Sequence, residues 1–293
     1  MSEITNIELN AEEPENIALA PQTAYPNVTS VVKLFFVYLV FLIIIAIIAA
    51  IIFMNTPQEF PAVKSIFKVL MNAAPILMAI QYTLKRSEKQ QGYPSTINYN
   101  KIKGWLIPVL IIAAAAFSIV LERISVLLPM PLKIREIFER MFTRDIFSFM
   151  SVVIIAPIIE EILCRGIILK GLLKNYSPNK AIFISAILFS ALHLNPWQAI
   201  PAFFGGLFLG WIYNKTQSVI PGMIFHAAIN TTGFAFLFLG NSKQDLPDIF
   251  GKMYYPVLLM SALVFTVSCI FINKKVKVAV TNQSLITNLQ SLI

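Results

Sequence analysis

The chain carries only two histidines, His193 and His226, and both lie in long apolar runs. A third apolar run holds an adjacent acid pair, Glu160 and Glu161, followed by Arg165. An ionisable group inside a lipid-length helix costs about 2.5–3.5 kcal/mol on insertion scales, so such groups usually share a cavity and carry function. Neighbouring residues on a helix point about 100° apart, so the two acids have different jobs. Glu161 stands four residues before Arg165, the favoured direction for a helical ion pair, and the two are read as structural support. Glu160 faces elsewhere and is the candidate general base for a water molecule. Pro157 removes one helix hydrogen bond beside it, which could open the wall to water, although Pro is also ordinary in membrane helices.

His193 ends the run Ile187–His193, just before the helix-ending pair Asn195 and Pro196, where it could help Glu160 hold and polarise water. His226 and Asn230 fall one helical turn apart on one face after Pro221 and could present two donors to a single point. That pair suits an oxyanion hole for a carbonyl under attack. A carboxylate and an imidazole on water, with an imidazole and an amide opposite, are the parts of an amide hydrolase. Neither a GxSxG elbow nor an HExxH helix is in the chain. A membrane histidine by itself is more often a helix-packing hydrogen bonder; the combination of the two with the acids favours chemistry.

The elements that must position these groups are membrane helices. Hydrophobic residues make up 57% of the 293 and charged residues 13%, the balance of a polytopic membrane protein and not of a soluble domain. The expected architecture is all-α with about eight transmembrane helices, near 31–53, 62–84, 105–128, 147–172, 180–195, 198–213, 219–239 and 254–272. Residues 1–30 hold five acids and no Lys or Arg, lack the basic start of a signal peptide, and read as a disordered acidic tail. Residues 31–275 form one membrane domain, and 276–293 a C-terminal tail. Ile134, Ile137, Phe138, Met141 and Phe142 repeat at helical spacing among Lys133, Arg135, Arg140 and Arg144, which predicts an interfacial helix.

The net charge of +8 comes from basic residues beside the spans, so it speaks for membrane flanks and not for nucleic acid. Lys85, Arg86, Lys89, Lys101, Lys103, Lys170, Lys174, Lys180, Lys274, Lys275 and Lys277 fall on one side when both termini are cytoplasmic. Cys164 and Cys269 lie in predicted spans and form neither a disulfide framework nor a metal spacing. Gly206 and Gly210, with Gly205 beside them, read as a close helix contact.

Glu160-Glu161-xxx-Arg165-Gly166, Phe189-xxx-His193 and His226-xxx-Asn230, in this order, resemble the blocks of the CPBP family of intramembrane proteases, which includes the type II CAAX prenyl endopeptidases. The stretch Gly210–Thr216 resembles that family's lead-in to its second histidine, and the likeness covers roughly residues 148–240. Two departures occur: Cys164 where an aromatic is common, and Gln217 where a glycine is common. The resemblance implies an eight-helix membrane fold, a water activated by Glu160 and His193, and an oxyanion held by His226 and Asn230. Family names often carry "metalloprotease", and Glu160, His193 and His226 could form a His₂Glu zinc site. The metal-free glutamate mechanism is preferred because it also gives Asn230, a poor zinc ligand, a task, so no cofactor is expected.

The expected function is thus an endopeptidase of a bacterial cell membrane acting on a membrane-embedded or membrane-anchored peptide. The runner-up is a non-proteolytic immunity or scaffold protein on the same fold. A proton-coupled transporter ranks last, since the chain shows no paired interrupted helices in two matching halves.

Overall fold

The computed structural model describes residues 24–55, 61–126, 128–134, 136, 145–239 and 246–277. Residues 1–23 of the acidic tail expected at 1–30, most of the C-terminal tail and most of the interfacial helix expected around 133–144 lie outside the described residues, and Val28–Ser30, expected in that tail, form the first turn of a helix instead.

All regular structure among the described residues is helical. The helices are α1 (Val28–Asn55), α2 (Pro61–Gln91), α3 (Leu106–Val126), α4 (Ile146–Asn175), α5 (Pro178–Ala191), α6 (Pro196–Thr216), α7 (Ile220–Leu239) and α8 (Leu246–Lys275), the last interrupted by a 3₁₀ turn at Gly251–Met253. Five of them, α1, α2, α3, α4 and α8, are long and apolar enough to cross a membrane, and α5 is a shorter apolar helix. The spans expected near 180–195, 198–213 and 219–239 coincide with α5, α6 and α7.

Burial explains the difference in character. On α1, Phe36, Ile43, Ile47 and Ile51 face outward, and on α8 Leu259, Leu263 and Val267 do the same. Such surface is a liability in water and the required surface in lipid. The middle of the bundle is instead built from α3, α4, α6 and α7, whose Leu110, Ala114, Leu163, Ile168, Leu209, Ile212 and Phe225 are all but fully buried. α5 packs along α6, while α7 and α8 both pack on α3.

The α5–α6 contact depends on missing side chains. A Cβ on Gly206 would sit 3.1 Å from the Ala186 backbone, and one on Gly210 would sit 2.9 Å from Ile182. The small-xxx-small spacing thus lets two backbones approach, which is how helices associate where no water drives them together.

Helix directions alternate, and one end of the bundle is laced by the strap of residues 92–105 between α2 and α3. Lys170 donates to the Thr96 carbonyl at 2.7 Å and to Asn98 Oδ1 at 2.9 Å. Val219 N–H donates to the Asn98 carbonyl, and Asn100 Nδ2 to the Gln217 carbonyl. Gln91 and Asn175 bind the chain entering α1, through Tyr25 and Ala24. The start of α1 and the ends of α2, α4 and α6 therefore share one end with the starts of α3 and α7.

At that end Gln217 closes α6 in the left-handed region, φ +49°. This is the cap position at which glycine avoids a Cβ penalty, which accounts for a glycine being common there in the resembled family. Gln217 holds the strained conformation with its N–H on the Tyr213 carbonyl and its side-chain Nε2 on the Asn214 carbonyl.

Candidate active site

α4 is not a uniform helix. Met150–Ile155 and Ile162–Leu169 are π-helical, and the α-helical turn Ala156–Glu161 between them carries the acid pair. In the first π stretch the Ala156 N–H goes back to the Ser151 carbonyl, not to that of Val152. The next residue able to serve the Val152 carbonyl in π register is Pro157, which has no N–H. The Val152 carbonyl is thereby freed, and Asn230 Nδ2 donates to it at 2.7 Å. Pro157 does open the α4 hydrogen-bond ladder, and an α7 side chain fills the opening.

Glu161 is fully buried. Its Oε1 takes the Arg165 Nη1–H at 2.8 Å and faces His226 Nδ1 at 3.3 Å. Arg165, also fully buried, places Nη2 on the Gly206 carbonyl at 3.1 Å and its guanidinium 4.4 Å over the Phe189 ring. Through these contacts the buried pair ties α4 to α5, α6 and α7, while Glu161 Oε2 and Arg165 Nε are buried with no hydrogen-bond partner among the described residues. Gly222 makes room for it, since a Cβ there would lie 2.6 Å from Glu161 Oε2.

Phe189 organises both histidines. Its ring meets the His193 ring edge-on at 5.2 Å and the His226 ring at 5.5 Å, and its carbonyl stands 2.9 Å from His193 Nδ1. A carbonyl only accepts, so His193 Nδ1 carries the proton and Nε2 is the nitrogen left for a ligand. His193 follows the last turn of α5, and Leu194 after it is held at φ +56°, a conformation that costs a leucine energy and that collects at functional sites.

His226 is the meeting point of the acids. Its Nδ1 faces Glu161, and its Nε2 stands 3.8 Å from Glu160 Oε2. Glu160 keeps some exposure, 17% for its side chain, and its Oε2 has no hydrogen-bond partner among the described residues. His193, His226 and Asn230 line one cavity of about 200 Å³, with Phe189, Trp197 and Gln198 among its other walls. Glu160 is not among the residues that line this cavity; its contact with the group is the one to His226, and His193 and Glu160 make no hydrogen bond or ion pair with each other among the described residues.

The sequence reading missed Tyr38, Trp197 and Gln198. Tyr38 of α1 is buried and points its hydroxyl at the Leu192 carbonyl at 3.5 Å, one residue before His193. The signal was present, since Tyr38 is the one hydroxylated aromatic in the aliphatic run of α1.

No three His, Cys, Asp or Glu side chains converge at ligand spacing among the described residues. Glu160, His193 and His226 as they stand do not form a His₂Glu site.

Residues 142–232 match the family model described as type II CAAX prenyl endopeptidase, Rce1-like. No curated protein and no solved structure gives a significant match.

Proposed function

Because the chain belongs, over residues 142–232, to the Rce1-like family of type II CAAX prenyl endopeptidases, we propose that it is an intramembrane endopeptidase that hydrolyses a peptide bond with a glutamate-activated water. The observation that carries this reading is the convergence of His193, His226 and Asn230 on one cavity, with Glu160 at 3.8 Å from the His226 ring. In this reading Glu160 takes a proton from a water that His193 Nε2 helps to hold. The hydroxide attacks the carbonyl carbon, and the new oxyanion forms beside His226 and Asn230. Asn230 has a second Nδ2 hydrogen beyond the one given to Val152, and His226 protonated on both nitrogens donates from Nε2 while Nδ1 stays on Glu161. The oxyanion then collapses to a carboxyl group as the C–N bond breaks, and Glu160 gives its proton to the departing amine nitrogen.

The substrate we infer is a peptide anchored in or at the membrane, because the cavity sits among apolar helices; the family's name points to prenylated C-terminal peptides. With α5, α6 and α7 crossing beside the five long apolar helices, the chain has eight spans. The basic end, with both termini, lies in the cytoplasm of a cell membrane.

The test compares new peptide termini in membranes of cells expressing the wild type or Glu160→Gln at equal level. Termini found only with the wild type establish proteolysis and name the substrate, and loss of the general base lowers cleavage of that substrate by roughly a thousandfold. Identical termini, where the wild type has a phenotype that the variant rescues equally, would sink the protease reading in favour of an immunity or scaffold role.

A further inference from the structure

Away from the proposed active site, at the laced end of the bundle, lies a cavity of about 440 Å³ between the start of α3, the end of α6 and the end of α8. Lys101, Lys103, Lys215, Lys274, Lys275 and Lys277 all line it, and no carboxylate does. None of the six has an ion-pair partner among the described residues. Lysines in the last turn of a helix are ordinarily explained by the helix dipole, and this applies to Lys215, Lys274 and Lys275. The two helix ends supply roughly one negative charge between them, so about five of the six positive charges stay unmatched. Lys101, Lys103 and Lys277 stand outside the helices altogether.

The other walls are apolar. Ile102, Trp105 and Val276 line the same cavity, and Trp105 packs edge-on against Phe271 at 5.2 Å, the place of an aromatic at the membrane interface. Directly along the helices from the cavity, Ile107 and Ile111 of α3 and Val267 and Ile270 of α8 are exposed. A charged pocket above an apolar track matches a molecule with a phosphate head and hydrocarbon tails.

We propose that this cavity binds the headgroup of an anionic phospholipid, the phosphate among the six lysines and the acyl chains along α3 and α8. Basic pockets between helix ends recognise such headgroups by charge and hydrogen bonding together. The site is separate from the proposed catalytic cavity: His193 and Trp197 stand at the start of α6, and Lys215 lies at its other end.

The experiment is native mass spectrometry of the full chain, extracted in mild detergent and titrated with phosphatidylglycerol or phosphatidylcholine. Phosphatidylglycerol is retained and phosphatidylcholine is not. The K101Q/K274Q/K275Q variant loses retention roughly a hundredfold, on about fivefold per charge. The control variant K85Q/R86Q/K89Q, which removes three charges at the same end but outside this cavity, retains the lipid. Equal retention in wild type and K101Q/K274Q/K275Q overturns the proposal, as does equal loss in both variants. Complete displacement by millimolar inorganic phosphate shows a free-phosphate site instead of a lipid site. Retention that appears only after removal of residues 1–23 shows that the chain's own acidic segment occupies the cavity, which also overturns it.

Discussion

At the scale of single residues, the candidate groups were legible because each breaks an apolar pattern. Glu160, His193, His226 and Asn230 are conspicuous in runs of Ile, Leu and Phe, and three of them line one cavity. Their pairing was not legible. Two side chains about 100° apart on a helix cannot aim at one atom, but an imidazole offers nitrogens on two sides, and His226 accommodates both acids. Only the tertiary placement of α7 against α4 reveals this. Asn230 is the residue where role and position are most entangled, because one of its hydrogens is already given to Val152. On the proposed mechanism Asn230→Ala lowers kcat by about 10²–10³ and changes KM little, since the lost donor acts on developing charge. A steady-state assay on the identified peptide checks it, and a loss confined to KM would contradict an oxyanion role.

At the scale of elements, helix positions were readable and helix type was not. Runs of apolar residues located α1 to α8, most of their ends to within four residues, but α2 runs seven residues past the expected 84 and α8 begins eight before the expected 254. The π-helical stretches of α4 left no hydrophobic signature, because they alter hydrogen-bond partners without altering which residues are apolar. Pro157 was the one visible hint. The Glu161–Arg165 pair followed from its spacing of four, but its other contacts, with Gly206, Phe189 and His226, come from three other helices. Gln217 is a departure with a measurable cost. Gln217→Gly relieves the left-handed strain at the end of α6 and raises stability by about 0.5–1 kcal/mol, offset in part by the greater freedom of glycine in the unfolded chain. A rise in thermal midpoint in detergent is the expected readout; a fall would mean that the Nε2 bond to Asn214 outweighs the strain.

For the whole molecule, composition was decisive on class: a chain 57% hydrophobic had to be a membrane protein. The number of crossings was less so, because helices that line a polar cavity carry His, Asn and Gln and lose the signature of a lipid-facing span. The alternation of helix direction puts Tyr93, on the strap, at the end opposite Leu132, and both are exposed. A membrane-impermeant thiol reagent on intact cells therefore labels Leu132→Cys and spares Tyr93→Cys, if the basic end is cytoplasmic. The native cysteines add little background, since Cys164 is buried and Cys269 is partly so. The reverse labelling would invert the orientation and put the lysine cavity on the outer face.

The freed carbonyl of Val152 has one more consequence, which concerns how this sequence can change. Pro157 creates the demand and Asn230 meets it, from helices 78 positions apart along the chain at the bond itself. Neither residue is then a free variable. A substitution at Asn230 leaves the Val152 carbonyl without this donor, and a residue with an N–H in place of Pro157 would supply one from within α4. Two letters distant in the sequence are thus coupled through one carbonyl, and a redesign of the cavity that changes Asn230 has to provide for it.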